Sequence, residues 1–130
     1  MHDDLNELIT YREQLALDTI KEVQFQIDNG YLRIAVNRIY YGMFYLLLAL
    51  SLKNGYKTSK HQQLIGWFNK EFIKTGIIDK KYGRIIHKAF EDRSDGDYGL
   101  FVEFSKEEVV QKLEDMKEFI DIIQKHILHP

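Results

Sequence analysis

The stretch that decides the fold is Ile34-Ala-Val-Asn-Arg-Ile-Tyr-Tyr-Gly-Met-Phe-Tyr-Leu-Leu-Leu-Ala-Leu-Ser-Leu52, which is apolar or aromatic at nearly every position from Ile39 onward. The run is too long for an ordinary strand, and its Ala, Leu and Met residues favour a helix. A helix that is apolar on all sides has no face for water, so we expect it to be the buried central helix. It is shorter than the roughly 20 residues that cross a bilayer, and Arg38 and Lys53 flank it, so we expect no membrane span.

Three tyrosines lie within this helix, at positions 40, 41 and 45, and each hydroxyl needs a hydrogen-bond partner when it is buried. Asn37 and Arg38 precede Tyr41 by about one helical turn, so the three side chains share a face. The sequence therefore predicts a polar stripe of Asn37, Arg38 and Tyr41 near the start of the central helix. We treat this stripe as a candidate binding cleft.

Composition limits the class of protein. The 130 residues predict a single domain over the whole chain, 1–130, and 45% of them are hydrophobic, which is enough for a core. Lys and Arg number 18 against 20 Asp and Glu, so there is no general attraction to nucleic acid and any RNA site must be a local patch. The absence of cysteine fits a reducing compartment, and Met-His-Asp-Asp-Leu resembles no signal peptide or lipidation motif. We expect a soluble, cytoplasmic protein with no membrane association.

Apolar spacing and helix-end signals predict the other helices. The first helix should run from about Asp4 to Asn29. The predicted stops are Asn29-Gly30, Asn54-Gly55 and Thr75-Gly76, and the predicted starts are the capping box Ser59-x-x-Gln62, the N-cap Asp79 and the capping box Ser105-x-x-Glu108. No segment alternates with a period of two residues. We predict an all-α fold, an up-and-down antiparallel bundle of four to five helices.

Arg93 is the first candidate site residue. The fourth helix carries an apolar stripe whose next member, three or four residues after Ala89 and Phe90, is Arg93. A guanidinium stays charged and is costly to bury without partners. We expect its stem to be partly buried and its head to hydrogen-bond one of four acceptors: Asn37, Tyr41, Asp95 or Asp97. The alternative is a structural arginine that ties one helix to its neighbours. The Asp-Gly pair that follows predicts that the helix frays or ends there.

The remaining candidates are weaker. His61 and His87 each stand alone in the sequence, and a lone histidine is usually structural or exposed. The cluster Lys80, Lys81, Arg84, His87 and Lys88 is either a solvated face or a local attraction for phosphates. No phosphate loop, dinucleotide motif or His-Glu-x-x-His motif is present. We therefore predict no cofactor and no metal site.

Three blocks of the sequence resemble the HEPN domain, the higher-eukaryote and prokaryote nucleotide-binding domain. Asn-Arg-Ile-Tyr-Tyr-Gly-Met-Phe (37–44) is similar to its second-helix signature. Lys60-His61 with Phe68-Asn-Lys-Glu-Phe-Ile-Lys-Thr-Gly76 resembles the next block of one bacterial and archaeal branch, and Ala89-Phe-Glu-Asp-Arg-Ser-Asp-Gly-Asp-Tyr-Gly99 resembles its last signature. The similarity covers about residues 12–123.

The resemblance implies an all-α bundle that forms a homodimer. Many family members are metal-independent ribonucleases, often toxins, in which an Arg is followed four to six residues later by a His. Members are often paired with a small nucleotidyltransferase in toxin–antitoxin or related two-gene systems. Carried over, Arg93 is the motif arginine, but Tyr98 stands where the histidine is expected, in the pattern Arg-x-x-x-Asp-Tyr.

This departure leaves three interpretations of function open. Tyrosine, with a reference pKa of about 10, is a poor base near neutral pH. The first interpretation is therefore a non-catalytic module that binds a nucleotidyltransferase partner, a nucleotide or RNA. The second is a metal-independent ribonuclease with Arg93, Asp97 and Tyr98 as catalytic residues. The third is a structural dimeric bundle without a ligand. Whether the chain is an enzyme is left open.

Overall fold

Five α-helices form the fold in the part of the chain that the structure, a computed structural model, describes: the backbone of residues 2–98 and 103–128, with side chains for 4–93 and 103–128. They are α1 (His2–Asp28), α2 (Leu32–Lys53), α3 (His61–Phe68), α4 (Lys80–Tyr98) and α5 (Lys106–Leu128). A π-helical turn, Asn69–Ile73, continues α3. The predicted all-α class is confirmed.

Helix α2 is the centre of the bundle, as its composition predicts. It contacts each of the other four helices, and it packs most extensively against α1 and α5. By length and composition α2 could cross a membrane, but 67% of its most apolar window is buried inside the protein. That burial is typical of the core helix of a soluble domain. Helix α5 packs through apolar residues three or four positions apart, which are all buried: Val109, Leu113, Met116, Ile120, Ile123 and Ile127.

Gly42 lets three helices approach closely at the middle of α2. It is buried, and a Cβ built there would overlap Met116 Cε of α5 and lie 3.1 Å from Thr19 Cγ2 of α1. Thr19 cannot easily move, because its Oγ1 donates a hydrogen bond of 2.6 Å to Leu15 O. The absence of a side chain at Gly42 therefore sets the separation of α1, α2 and α5.

Most of the predicted helix ends are confirmed. The three stop glycines, Gly30, Gly55 and Gly76, have φ of 78°, 77° and 78°, the left-handed conformation that glycine adopts at low cost. The start of α4 is capped by Asp79, whose Oδ1 accepts a hydrogen bond of 2.8 Å from Lys81 N. The start of α5 has the reciprocal bonds of a capping box: Ser105 Oγ accepts from Glu108 N at 3.1 Å, and Ser105 N donates to Glu108 Oε1 at 3.2 Å.

One predicted boundary is wrong, and a second lies slightly later than the sequence signal. Helix α3 does not use Ser59 as a cap; its N-cap is Lys60 and no side chain caps it. Instead, Thr58 Oγ1 accepts the Lys60 N–H at 3.2 Å and so closes the preceding turn. The second is the end of α4, whose helical backbone passes the Asp-Gly pair and ends at Tyr98, within the stretch after Arg93 where the sequence predicts fraying or an end. One glycine costs a helix only about 1 kcal/mol relative to alanine, which is too little to end it.

Candidate functional site

Arg93 lies where α4 crosses α2, at the position that its helical stripe predicts. Its side chain is partly buried. The guanidinium carbon Cζ lies 5.2 Å from the ring centre of Phe90 on α4 and 5.6 Å from that of Tyr40 on α2. A cation within about 6 Å of an aromatic face is attracted by the negative charge of the ring face. Two rings from two helices therefore hold the guanidinium in place.

His61, the first residue of α3, completes the cluster from a third helix. Its ring stacks on Phe44 of α2 with centroids 4.1 Å apart and the planes within 4° of parallel. Its Nδ1 lies 2.6 Å from the Tyr40 hydroxyl oxygen, a short hydrogen bond in which either group can donate, depending on the tautomer. Tyr40 thus contacts Arg93 through its ring and His61 through its hydroxyl. We call Tyr40, His61, Phe90 and Arg93 the Arg93 cleft; Tyr40 is fully buried, and the other three residues are partly exposed.

Burial and the arginine charge set the protonation states in this cleft. Burial, together with Arg93, lowers the pKa of His61 below its usual value. Burial raises the pKa of Tyr40 well above its usual value, although Arg93 opposes this rise. Near neutral pH, the cleft therefore contains a neutral imidazole, a neutral phenol and a fixed positive charge. That combination can bind an anion and exchange a proton.

The predicted polar stripe of α2 lies beside this cleft, and its members differ in their contacts. The Tyr41 ring meets His61 edge-on at 5.8 Å between centroids, and Tyr40 at 5.3 Å. Arg38 Cζ lies 5.8 Å from the centre of the Tyr41 ring, but the Arg38 Nε pairs with Glu22 of α1 at 3.2 Å. Asn37 is partly buried on α2. The binding roles predicted for Asn37, Arg38 and Tyr41 stay predictions.

The other predicted catalytic residues fall outside the described side chains. This applies to Asp97 and Tyr98, and to Asp95, the further acceptor proposed for Arg93. Their roles, and the hydrogen bond expected between Arg93 and one of the four acceptors, stay predictions. Asp92, which directly precedes Arg93, faces α5 instead: it is buried, and its Oδ2 lies 2.6 Å from Lys112 Nζ.

Part of the basic face of α4 contacts carboxylates. Lys81 Nζ lies 2.9 Å from Glu118 Oε1 of α5, and His87 Nε2 lies 2.8 Å from Glu91 Oε1 on the same helix. These side chains are about half exposed or more, as expected for a solvated face. The contacts favour that interpretation over a phosphate-attracting patch.

His61 is the residue of the cleft that sequence patterns alone do not assign to the site. It stands alone in the sequence because its partners Tyr40, Phe44 and Phe90 lie on other helices and far away in sequence. One signal was available: Lys60-His61 belongs to a block that resembles one branch of the HEPN family.

Comparison with known proteins supports that resemblance across the chain. A family model described as the HEPN domain matches residues 11–127. A UPF0332 protein of Thermotoga maritima is 38% identical over 125 residues, which cover 96% of this chain and 95% of the relative. Two proteins of Methanocaldococcus jannaschii are also similar. "Putative toxin MJ0605" is 30% identical, and the aligned region covers 96% of this chain and 92% of the relative. "Putative toxin MJ0142" is 36% identical, and the aligned region covers 72% of this chain and 64% of the relative.

Proposed function

Because the chain belongs to the HEPN domain family, we propose that it is a toxin-type HEPN module that binds single-stranded RNA through the Arg93 cleft. The observation that carries the proposal is the position of the Arg93 guanidinium, held by the rings of Phe90 and Tyr40 beside a neutral histidine. A guanidinium forms strong, paired hydrogen bonds with phosphate oxygens. The family relation and the similarity to two proteins with toxin names support a role of this kind.

Single-stranded RNA fits this cleft better than a duplex does. The net charge of −2 gives no broad basic surface, so binding depends on a local site. Aromatic rings next to a fixed cation are the combination that single-stranded nucleic acids use, since bases stack on rings while phosphates meet the cation. Here the rings that a base can reach are those of Phe90 and Tyr41, which are partly exposed, because Tyr40 is fully buried. Tyr41 and Arg38 continue the same arrangement of ring and cation along α2.

We further propose that the module acts as a homodimer with a small nucleotidyltransferase as its partner, in a cytoplasmic toxin–antitoxin or related two-gene system. This part rests on the family relation and not on a contact in the cleft. Its direct test is co-expression with the product of a neighbouring nucleotidyltransferase gene. We expect the two proteins to co-purify, and separate elution of both would contradict the proposed partnership.

The RNA-binding proposal is tested by fluorescence anisotropy with a short labelled single-stranded RNA. We expect Arg93→Ala to weaken binding by about 10-fold or more, since a charge-assisted hydrogen bond is worth roughly 1.5–3 kcal/mol. The salt dependence of binding should also decrease, by about 0.7 in the slope of log affinity against log salt for one phosphate contact.

The matched control is Arg84→Ala. Arg84 is exposed on the same helix, and its removal deletes the same charge without touching the cleft. We expect it to change the affinity by less than about 2-fold, as for a distant, screened charge. Equal losses in the two variants would mean that net charge, not the cleft, drives binding. Displacement of the RNA by free adenosine monophosphate at equimolar concentration would identify a nucleotide as the ligand instead.

A further inference from the structure

We propose that the space between α2, α4 and α5 is a second binding site, for a small, singly charged amphipathic carboxylate. The site is a cavity of about 240 Å³, and the described residues that line it include none of the Arg93 cleft. Helix α2 forms its floor, and α4 and α5 form its walls, since these two helices touch each other less than either touches α2. The inference goes beyond the proposed RNA binding and does not depend on it.

The floor and one wall of the cavity are apolar. Val36, Ile39 and Met43 of α2 are each 3% exposed or less, and Ile85 and Ala89 of α4 are partly buried beside them. These side chains offer a surface on which the hydrocarbon part of a ligand leaves water. Because an apolar cavity of about 150 Å³ holds benzene, this cavity has room for a somewhat larger body, of about ten non-hydrogen atoms.

The charged groups of the inner wall leave a local excess of positive charge. Asp92 is buried, and its carboxylate lies 2.6 Å from Lys112 Nζ of α5 and 3.2 Å from Lys88 Nζ, one helical turn earlier on α4. Two ammonium groups therefore face one carboxylate at this wall. A cavity lined in this way attracts an anion rather than a cation.

Arg84 supplies the group that binds the carboxylate of the ligand. Of the other charged residues at the cavity, Lys81 pairs with Glu118 at 2.9 Å, and Asp115 accepts a hydrogen bond of 3.0 Å from Gln111. Arg84 is exposed at the cavity, and its guanidinium makes no ion pair or hydrogen bond within the described residues. A guanidinium presents two parallel N–H groups that match the two oxygens of a carboxylate.

This arrangement favours a carboxylate over a phosphate. A phosphate monoester carries nearly two negative charges at neutral pH, and proteins bind it with clusters of arginines. Here the lysines are already paired with carboxylates of the protein, which leaves one guanidinium for the ligand. A single positive charge above an apolar floor matches a molecule with one negative charge and a hydrocarbon body.

The cavity and the Arg93 cleft lie on different sides of the contact between α2 and α4. Ile39 and Asp92 line the cavity, whereas their neighbours in sequence, Tyr40 and Arg93, lie in the cleft. Successive side chains of a helix point about 100° apart, so each helix presents one residue of each pair to each site. A ligand in the cavity therefore leaves the cleft open, and it should change the affinity for RNA by less than about 2-fold.

The test is isothermal titration calorimetry of the full-length chain with octanoate, whose size of about ten non-hydrogen atoms matches the cavity. We expect one molecule to bind per chain with a Kd of about 1 mM or tighter, the affinity usual for ligands of this size. Octanol has the same hydrocarbon chain without the charge. It should bind more weakly by about 10-fold or more, because a hydrogen bond to a charged group contributes at least that factor.

Two variants separate the carboxylate contact from the apolar contact. Arg84→Ala should weaken octanoate binding by about 10-fold or more and change octanol binding by less than about 2-fold. Lys57→Ala is the matched control, since Lys57 is exposed between α2 and α3, outside the cavity, and should change neither affinity by more than about 2-fold. Ala89→Leu fills the cavity and should abolish binding of both probes. Arg84 is exposed, so its variant decides the question even where Ala89→Leu does not fold.

Four results would overturn the proposal. The first is no heat of binding with octanoate, and the second is equal affinity for octanoate and octanol in the unsubstituted protein. The third is equal octanoate binding by Arg84→Ala and Lys57→Ala. The fourth is displacement of octanoate by inorganic phosphate at equimolar concentration, which would assign the cavity to a phosphate ligand. Displacement of labelled RNA by octanoate would place the carboxylate in the Arg93 cleft and would also contradict the proposal.

Discussion

At Gly42, two opposing effects decide what a methyl group does to stability. Alanine is favoured over glycine in a helix by about 1 kcal/mol. The new methyl group would, however, overlap Met116 Cε and press on Thr19, which its hydrogen bond to Leu15 holds in place. Overpacking of a buried site costs about 1–3 kcal/mol. The packing cost should win, because Gly42 has buried neighbours on two helices.

We therefore expect Gly42→Ala to lower the free energy of unfolding by up to about 2 kcal/mol in denaturant titrations, the remainder of those two effects. Gly66→Ala is the matched control, since Gly66 lies in α3 with nothing within 4 Å of the added Cβ. It should raise the free energy of unfolding by about 0.5–1 kcal/mol. Equal stabilisation by both substitutions would show that Thr19 of α1 and Met116 of α5 do not pack tightly against Gly42.

Single residues also show how far the candidate site can be predicted. The position of Arg93 follows from the three- and four-residue spacing of α4, which is a local property of the sequence. The link between His61 and Tyr40 spans 21 positions and depends on how α3 docks on α2. No periodicity encodes that docking. The sequence therefore predicts the position of the arginine from its spacing, whereas the histidine beside it becomes visible only when the helices are assembled.

At the scale of elements, the starts and stops of helices are the most predictable features, because they depend on a few adjacent residues. The glycine stops and the Ser105–Glu108 box need only backbone geometry and one side chain. The start of α3 differs from the predicted capping box, because Thr58 Oγ1 accepts the hydrogen bond of Lys60 N and closes the turn before the helix. The π-helical turn Asn69–Ile73 is not predicted, because no helix-end signal or apolar spacing in the sequence marks its wider turn.

The two capping boxes of the sequence give a matched pair of variants. Ser105→Ala removes an acceptor that satisfies Glu108 N, and the loss of such a cap costs about 1 kcal/mol. Ser59→Ala changes an exposed residue that is not the N-cap of its helix, so it should alter stability by less than about 0.5 kcal/mol. Denaturant titrations of both variants measure the difference. Equal destabilisation by both variants would show that Ser59 caps α3, as its sequence pattern predicts.

At the scale of the whole molecule, several large apolar side chains are exposed near the start of α2. Tyr31 and Ile34, at the start of α2, are both 54% exposed, and Phe25 at the end of α1 is 62% exposed. This end of α2 is also the one nearer to Tyr40 and the Arg93 cleft. A symmetric dimer through these residues would bring two such clefts towards each other, which agrees with the dimer that the family relation implies.

We predict a homodimer that dissociates when this apolar end is charged. Light scattering at micromolar concentration should give about twice the 15.5 kDa mass of one chain. Ile34→Asp should shift the mass towards the monomer, because an unpaired carboxylate is costly to bury in an interface. Ile77→Asp is the matched control: Ile77 is equally exposed, at 56%, but lies beside Asn54 and Gly55 at the other end of α2. A monomer before any substitution would refute the dimer. A dimer that resists Ile34→Asp and yields to Ile77→Asp would move the contact to the opposite end of the bundle, away from the Arg93 cleft.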